Sequence, residues 1–299
     1  MIASHLKQIN QQTLLREIEF SGIGLHKGLH ADIKIVPSDL DTGITFIRTD
    51  IEKNNIIKAL WSNVSATNLS TTISNENKIS VSTIEHLMSA LSGMHIDNAK
   101  VFINGPEIPI MDGSSRPFVE LIENAQLIDQ KKSRKIIKVK KKVEVRKKDS
   151  YVSISPNNQF SIDFEIDFES HLINKQARQL QLVNGNYKSD ISSARTFGFE
   201  KDVNELRLNG FALGGSLENA VVVGDKDILN KEGLRFQDEF VRHKILDSIG
   251  DLYLAGAPIQ GYFCGKKSGH YLNNELLRKL LSDKSNFELI KIFKSFFLA

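Results

Sequence analysis

A long helical stretch at residues 237–255 constrains the fold of this chain more than any other feature, because little of its surface suits water. With a rotation of about 100° per residue, one side carries an apolar stripe of Val241, Ile245, Ile249 and Leu252. Apolar residues are also interspersed on the polar side, among them Phe240 and Leu246. A helix that is apolar nearly all round is typical of burial. We therefore expect its few polar side chains to face an enclosed site.

The rest of the sequence predicts a mixture of strands and helices. The predicted strands span residues 17–20, 32–36, 44–48, 99–104, 136–146, 151–155, 160–168, 220–223 and 262–264. Further helices are predicted at about 82–93, 114–127 and 202–208. The first of these has a capping-box pattern from Ser82 to Glu85 and a stop at Gly93. Because the elements lack regular βαβ alternation, we predict the α+β class.

Length and polarity predict two domains. A chain of 299 residues suggests two units of ordinary size. A polar, charged stretch at residues 129–135 marks the predicted boundary, which gives domains at 1–132 and 133–299. These halves are similar in size, although no sequence repeat is evident.

Three observations favour a soluble cytoplasmic protein. The first residues lack the basic region and apolar run of a signal peptide. No stretch approaches the ~18 consecutive apolar residues that a membrane-spanning helix needs. Cys264 is the only cysteine, which excludes a disulfide framework within the chain and any multi-cysteine metal site.

A strongly basic run lies between residues 131 and 148, with eleven Lys or Arg residues and one acid, Glu144. Such a run can bind nucleic acid or an anionic membrane surface. However, the apolar residues of 137–145 fall largely at alternate positions, as in a strand with one solvated face. No aromatic residues are interleaved to stack bases. We interpret the run as a linker entering an exposed strand, with a nucleic-acid-binding module as the alternative.

The polar side of the long helix presents residues suited to a metal. His243, Asp247 and Asp251 fall within an arc of about 80° on successive turns. Burying these groups without partners would be costly, so a metal or mutual hydrogen bonds must satisfy them. The spacing alone leaves open both a His-x3-Asp ligand pair and a structural hydrogen-bond network.

Two further segments can complete a catalytic metal site. In residues 82–86, His86 can be a third ligand and Glu85 the base that takes a proton from attacking water. In residues 265–270, His270 can donate a proton or stabilise negative charge, and the two lysines suit a phosphate. Taken singly, residues 82–86 are also typical of the first turn of a solvated helix, and residues 265–270 are also typical of a solvated turn.

Together, the segments closely resemble the zinc-dependent UDP-3-O-acyl-N-acetylglucosamine deacetylase family of lipid A biosynthesis in Gram-negative bacteria. The matching stretches run nearly from end to end in the family's order: SGIGLH at 21–26, STIEH at 82–86, GPEIPIMDGS at 105–114, SARTFG at 193–198, EFVRHKILDSIGD at 239–251 and KSGH at 267–270. One departure is Ser70, where several members have a cysteine near the metal, so no thiolate is available there.

The resemblance implies catalytic roles that agree with the chemical interpretation. The zinc ligands, for one Zn²⁺ per chain, correspond to His86, His243 and Asp247. Glu85 matches the general base, and His270 matches the histidine that stabilises the oxyanion and is often assigned as general acid. Asp251 matches the carboxylate that orients or charges this histidine, and Thr196 a threonine that contacts the tetrahedral intermediate.

The resemblance also implies substrate contacts and a fold. Phe197 would pack on the sugar, Lys244 and Lys267 would lie near the glucosamine diphosphate, and Phe168 near the uracil. The fold would be two similar layered α/β-sandwich domains with the active site between them. The first domain would contribute Glu85 and His86, and the second would contribute the remaining ligands and His270. An insert at about 199–223 would form a passage for the acyl chain, with four residues to line it: Phe211, Leu213, Val221 and Val223.

The implied reaction is hydrolysis of the N-acetyl group of UDP-3-O-acyl-N-acetylglucosamine, which gives UDP-3-O-acyl-glucosamine and acetate and commits the substrate to lipid A. The expected partner is this small molecule, with no nucleic acid and no integral membrane segment, and the expected state is a monomer. A competing enzyme hypothesis is a serine hydrolase that uses His243 or His270. It is poorly supported, because the sequence has no Gly-x-Ser-x-Gly elbow.

Overall fold

The computed structural model describes residues 9–182 and 185–291. Residues 1–8, on which part of the signal-peptide prediction depends, lie outside these ranges. Within them, no helix is both long enough and apolar enough to cross a bilayer.

The first part of the chain is rich in strands and contains two α-helices. The strands are β1 (Asn10–Leu14), β2 (Ile18–Ile23), β3 (His30–Pro37), β4 (Ile44–Arg48), β5 (Ile56–Lys58), β6 (Val64–Ala66), β7 (Thr72–Ser74), β8 (Ser80–Val81) and β9 (Ala99–Ile103). The helices are α1 (Glu85–Gly93) and α2 (Arg116–Ala125), with a single 3₁₀ turn at Trp61–Asn63.

The second part again combines strands with helices. Its strands are β10 (Leu127–Ser133), β11 (Lys135–Val139), β12 (Val143–Lys147), β13 (Ser150–Ser155), β14 (Ser161–Asp167), β15 (Lys175–Gln181), β16 (Phe197–Phe199), β17 (Val221–Val223), β18 (Ile259–Gln260), β19 (Tyr262–Lys266) and β20 (Phe287–Lys291). Its helices are α3 (Asn186–Asp190), α4 (Glu200–Leu208), α5 (Glu239–Tyr253) and α6 (His270–Ser282). The α+β prediction is therefore confirmed.

Two five-stranded sheets have the same topology. Their strand orders are β2-β3-β9-β4-β5 and β12-β13-β19-β14-β15. In each sheet one neighbouring pair is parallel, β4 with β9 and β14 with β19, and the other three pairs are antiparallel. In the sequence, α1 comes before β9 and α2 comes after it. In the same way, α5 comes before β19 and α6 comes after it. The structure thus contains a repeat that the sequence does not reveal.

Helix α5 is as buried as its composition predicts. Thirteen of its fifteen residues are buried, and the exceptions are Arg242 and Lys244. It packs against β14 and β15, against α6 and, most extensively, against α1. The two helices approach closely at Gly250, where a Cβ atom would lie 2.0 Å from the carbonyl oxygen of Glu85.

Residues 129–135, where the domain boundary is predicted, are mostly in strands, so the basic run does not begin as an irregular linker. Strand β10 pairs antiparallel with β1, whereas β11 pairs with β18 and β20. Pairing partners therefore change between Ser133 and Lys135, and on this ground we still propose two domains that divide near residue 133. The predicted strand at 136–146 is interrupted at 140–142 and forms β11 and β12.

The predicted capping box of α1 is also wrong. The helix begins at Glu85, and Ile84 is its N-cap residue without a side-chain cap. The Ser82 hydroxyl donates instead to the Pro106 carbonyl oxygen, and Thr83, at a φ of 55°, donates to the buried Glu107 carboxylate at 2.8 Å. Tertiary partners in the 105–107 loop therefore replace the local cap.

Candidate active site

A cleft of about 860 Å³ is lined by residues from both parts of the chain. Of the predicted site residues, ten line it: Glu85, His86, Phe168, Thr196, Phe197, His243, Lys244, Asp247, Lys267 and His270. The remaining one, Asp251, is buried and hydrogen-bonded to His270. The structure therefore brings together side chains that are far apart in the sequence.

Three buried side chains converge on one point of this cleft. Helix α1 presents His86, and α5 presents His243 and Asp247 one turn apart. Asp247 Oδ1 lies 3.5 Å from His86 Nε2 and 3.4 Å from His243 Nε2. Potential ligand atoms of the three residues all lie within 4.8 Å of one another. The buried Asp247 Oδ1 has no hydrogen-bond partner among the described residues, as expected of an oxygen that binds a cation.

Neighbouring groups hold His243 and Asp247 in the state that metal ligands require. His243 Nδ1 lies 3.1 Å from the Ala194 carbonyl oxygen, which only accepts, so Nδ1 carries the proton and Nε2 is free. Burial lowers the pKa of His243 to about 3, so this imidazole is neutral. Lys244 donates to Asp247 Oδ2 at 2.6 Å, which leaves Oδ1 free. Burial acts to raise the pKa of Asp247, but neighbouring groups, among them the Lys244 ammonium, lower it well below its ordinary value. The donor set fits a divalent metal.

Glu85 stands beside this cluster as the first residue of α1. Its Oε2 accepts a hydrogen bond from the Thr71 backbone N–H at 3.0 Å. Its Oε1 lies 3.9 Å from His270 Nε2. Burial raises the pKa of Glu85, which makes it a stronger proton acceptor than an exposed carboxylate.

His270, the first residue of α6, is held by a second buried carboxylate. Its Nδ1 lies 2.8 Å from Asp251 Oδ2. Asp251 Oδ2 also accepts from Asn273 at 2.9 Å, and Oδ1 accepts from the Thr71 hydroxyl at 2.6 Å. Burial acts to lower the pKa of His270, but the Asp251 and Glu85 carboxylates raise it to about 9. His270 is therefore cationic at neutral pH.

Two residues of this network do not appear among the predicted site residues. Thr71 connects the Glu85 and Asp251 carboxylates, one through its N–H and the other through its hydroxyl. Asn273 lies one turn after His270 on α6, and that spacing was the available signal for it. Thr71 offers no such signal, because its partners are distant in the sequence.

The predicted substrate residues occupy the same cleft. The Phe197 ring centroid lies 5.6 Å from that of Phe168 and 6.1 Å from that of His243. Thr196 is held by its backbone, which donates to the Gly113 carbonyl oxygen at 2.8 Å. Lys267 pairs with Asp167 at 2.8 Å and, at 3.4 Å, with Asp149.

The residues predicted to line the acyl passage are not the ones that line the cleft. Val221 and Val223 are buried in the hydrophobic core, since β17 pairs with β16. The Phe211 ring packs on His26, and Leu213 is half exposed. From the insert, the cleft is lined instead by Phe199 and by residues of α4 and its end: Asp202, Glu205, Leu206 and Asn209.

The side chains of the basic run are mostly paired with acids or solvated, and two of them also line the cleft. Lys132 and Lys135 pair with Asp41, and Arg134 pairs with Asp97 at 2.6 Å. Lys147 and Lys148, although exposed, line the cleft, and the Lys147 ammonium lies over the Tyr271 ring. Both side chains are exposed, in keeping with the predicted solvated strand, and they also face the cleft.

The hydrogen bonds of the two site histidines do not favour a serine hydrolase. Within residues 9–182 and 185–291, the Nδ1 atoms of His243 and His270 bond to a backbone carbonyl and to Asp251. No serine hydroxyl in these ranges bonds to either imidazole, as a triad would require.

Comparisons with known proteins agree with the geometry. The family model described as UDP-3-O-acyl N-acetylglycosamine deacetylase matches residues 11–282. A Geotalea uraniireducens protein named UDP-3-O-acyl-N-acetylglucosamine deacetylase is 48% identical over 282 residues, with 94% of this chain and 92% of that protein covered. Proteins of the same name from Psychrobacter cryohalolentis and Neisseria gonorrhoeae are 46% and 44% identical. Each alignment covers 94% of this chain, with 88% and 93% of the respective relatives.

Proposed function

Because this chain belongs to the UDP-3-O-acyl N-acetylglycosamine deacetylase family, we propose that it hydrolyses the N-acetyl group of UDP-3-O-acyl-N-acetylglucosamine with zinc as its metal. The products are acetate and UDP-3-O-acyl-glucosamine, and the reaction is the committed step of lipid A biosynthesis. The observation that supports this most strongly is the convergence of His86, His243 and Asp247. Asp247 Oδ1 is buried there and has no hydrogen-bond partner within residues 9–182 and 185–291.

Zinc is the proposed metal because of the ligand set. Two imidazoles and one carboxylate are typical of catalytic zinc sites, which keep a further position open for water. When bound, zinc would lower the pKa of water and polarise the acetyl carbonyl. The ligands would be His86 Nε2, His243 Nε2 and Asp247 Oδ1, which already face one another.

Glu85 is the proposed general base. Water adds to the carbonyl carbon, and Glu85 takes the proton that this water loses. The Thr71 N–H fixes one carboxylate oxygen, so the other is free to accept. The raised pKa of Glu85 suits this role, since a base is most effective when its pKa lies near the working pH.

His270 and Thr196 are proposed to stabilise the oxyanion of the tetrahedral intermediate. Asp251 keeps His270 protonated and oriented, so a positive charge is already in place as negative charge develops. The carbon–nitrogen bond then breaks, acetate leaves, and the amine takes a proton from Glu85 or His270. Both donors are compatible with the geometry, because their side chains are 3.9 Å apart.

Other parts of the cleft suit the remainder of the substrate. Phe197 is proposed to pack on the sugar, and Phe168, whose ring centroid lies 5.6 Å from that of Phe197, is proposed to lie near the uracil. Lys244 and Lys267 remain candidates for the diphosphate region. The 3-O-acyl chain is proposed to lie against apolar residues that line the cleft: Leu25, Leu69, Phe199 and Leu206.

The proposed function is tested with the purified chain and synthetic substrates. Free amine and acetate should form from UDP-3-O-acyl-N-acetylglucosamine in a 1:1 ratio, by mass spectrometry. The same sugar nucleotide without its 3-O-acyl group should react far more slowly. Chelation should abolish turnover, and Zn²⁺ should restore it. Turnover that is unaffected by metal removal, or equal with and without the acyl group, would contradict the proposal.

A further inference from the structure

A buried ion pair is connected to the metal cluster through neighbouring residues and has no role in the reaction as described so far. It joins Arg195, in the segment of residues 193–197, to Glu239, the first residue of α5. Their side chains are 2% and 0% exposed. Both flanking residues of Arg195 belong to the site, since Ala194 accepts from His243 and Thr196 lines the cleft.

The contacts of this pair fix both main chain and side chains. The backbone N–H and Nε of Arg195 both donate to Glu239 Oε1, at 3.0 and 2.9 Å. Arg195 Nη2 donates to Glu239 Oε2 at 3.2 Å and to the Gly233 carbonyl oxygen at 2.7 Å. Nη1 donates to Glu232 at 2.7 Å, and the Arg235 N–H donates to Glu239 Oε2 at 2.6 Å. One carboxylate thus holds two chain segments against the start of α5.

The position of Glu239 on α5 links the ion pair to His243. It lies one turn before His243 on α5, and its partner Arg195 is directly bonded in the chain to Ala194. The Ala194 carbonyl is therefore tied to the helix that carries the histidine it binds. We propose that the Arg195–Glu239 pair is a positioning device that holds the Ala194 carbonyl on His243 Nδ1 and so aims His243 Nε2 at the metal. This inference rests on the proposed metal site.

A purely stabilising role explains the pair less well. Burying two charges carries a large desolvation cost, so a buried ion pair adds little net stability compared with an apolar replacement. Outer partners that orient a metal-binding histidine, in contrast, commonly affect metal affinity or activity by about 10- to 100-fold.

The test compares two variants with a matched control. Glu239→Gln keeps the shape, but its NH₂ group would face donors of Arg195 and Arg235. Arg195→Lys keeps the charge and the backbone N–H, but one ammonium cannot reproduce the forked contacts. The control is Arg242→Gln, which breaks the Arg242–Asp238 ion pair of 2.5 Å at the same end of α5 without touching residues 193–197.

Zinc affinity is measured by competition with a chromogenic chelator, and folding by circular dichroism and thermal melting. We expect Glu239→Gln and Arg195→Lys to bind Zn²⁺ roughly 10- to 100-fold more weakly. The Arg242→Gln control should bind Zn²⁺ with an affinity within about threefold of wild type, even if its melting temperature falls as much as those of the two variants. Should one variant fail to fold, the other carries the test.

Three results would count against the reasoning, and they have different meanings. If both variants melt earlier but bind Zn²⁺ as tightly as wild type, the pair is only structural and this inference is overturned. The same holds if the control loses affinity equally. If wild-type protein itself binds no Zn²⁺ tightly, the proposed metal site fails first, which is a separate outcome. None of these measurements depends on the identity of the substrate.

Discussion

Gly250→Ala is expected to separate the two helices that carry the metal ligands. Gly250 lies on α5, where its missing side chain faces the backbone of α1. An added Cβ would be 2.0 Å from the Glu85 carbonyl oxygen and 3.0 Å from the Ser89 nitrogen. Both are main-chain atoms inside a helix, so no rotamer change can relieve the contact. The helices themselves must move.

The size of this movement follows from the contact distances. Ordinary van der Waals contacts of a Cβ begin at 3.4 Å, and distances below 3.0 Å are essentially never seen. The helices must therefore separate by between about 1.0 and 1.4 Å at this point. Glu85 and His86 would move away from His243 and Asp247 by a similar distance. Zinc requires ligand bonds of about 2.0 to 2.2 Å, and a misplacement of about 1 Å can cost roughly 100-fold in rate.

We therefore expect Gly250→Ala to weaken zinc binding at least about 10-fold and to lower kcat by about 100-fold. The overpacking should also cost about 1–3 kcal/mol of unfolding free energy. Ile249→Val is the matched control, since it removes a buried methyl group from the same helix at a cost of about 0.5–1.5 kcal/mol without pushing on α1. Wild-type zinc affinity and kcat in Gly250→Ala would refute the argument, as would an equal loss in Ile249→Val.

Four further predictions concern individual side chains. Asp247→Ala should lose zinc affinity and nearly all turnover, because it removes one of three ligands; full metal content with normal turnover would contradict this. Glu85→Gln should retain zinc while kcat falls about 10²- to 10⁴-fold, and loss of metal in parallel with activity would show a ligand or a support instead. Because the pKa of His270 is raised to about 9, its protonated form and the stability it contributes are lost as pH rises through that value. Wild-type turnover should decline as the pH rises through about 9, and this decline should weaken in His270→Gln. Finally, Lys147→Gln with Lys148→Gln should raise KM in a salt-sensitive way, whereas Lys138→Gln with Lys140→Gln should leave turnover on the soluble substrate nearly unchanged.

The sequence allowed two members of the cluster to be placed side by side because they obey a local rule. His243 and Asp247 are one turn apart on a helix whose other surface is apolar, so their burial and their common direction follow from helix geometry. The boundaries of α5 were predicted within two residues at each end for the same reason. His86 had no such rule, and its assignment came from the resemblance of the whole set of motifs.

The errors arise where a side chain has a distant partner. Ser82 has the right spacing for a helix cap, but the 105–107 loop offers its hydroxyl a carbonyl oxygen. Val221 and Val223 are apolar as a lipid passage requires, but strand pairing directs them into the core. In each case the local pattern was read correctly, and a contact across the fold decided the outcome.

The topological repeat explains why the site cannot form from either half alone. Helices α1 and α5 occupy equivalent positions in the two repeats, before the last strand of each five-stranded sheet. When they pack against each other, the amino-terminal residues Glu85 and His86 of α1 meet the middle turns of α5. One helix therefore supplies one proposed ligand and the proposed base, and the other supplies two proposed ligands and Asp251. Metal affinity and catalysis should both depend on the docking of the halves, since a small relative shift changes every distance between the two ligand groups.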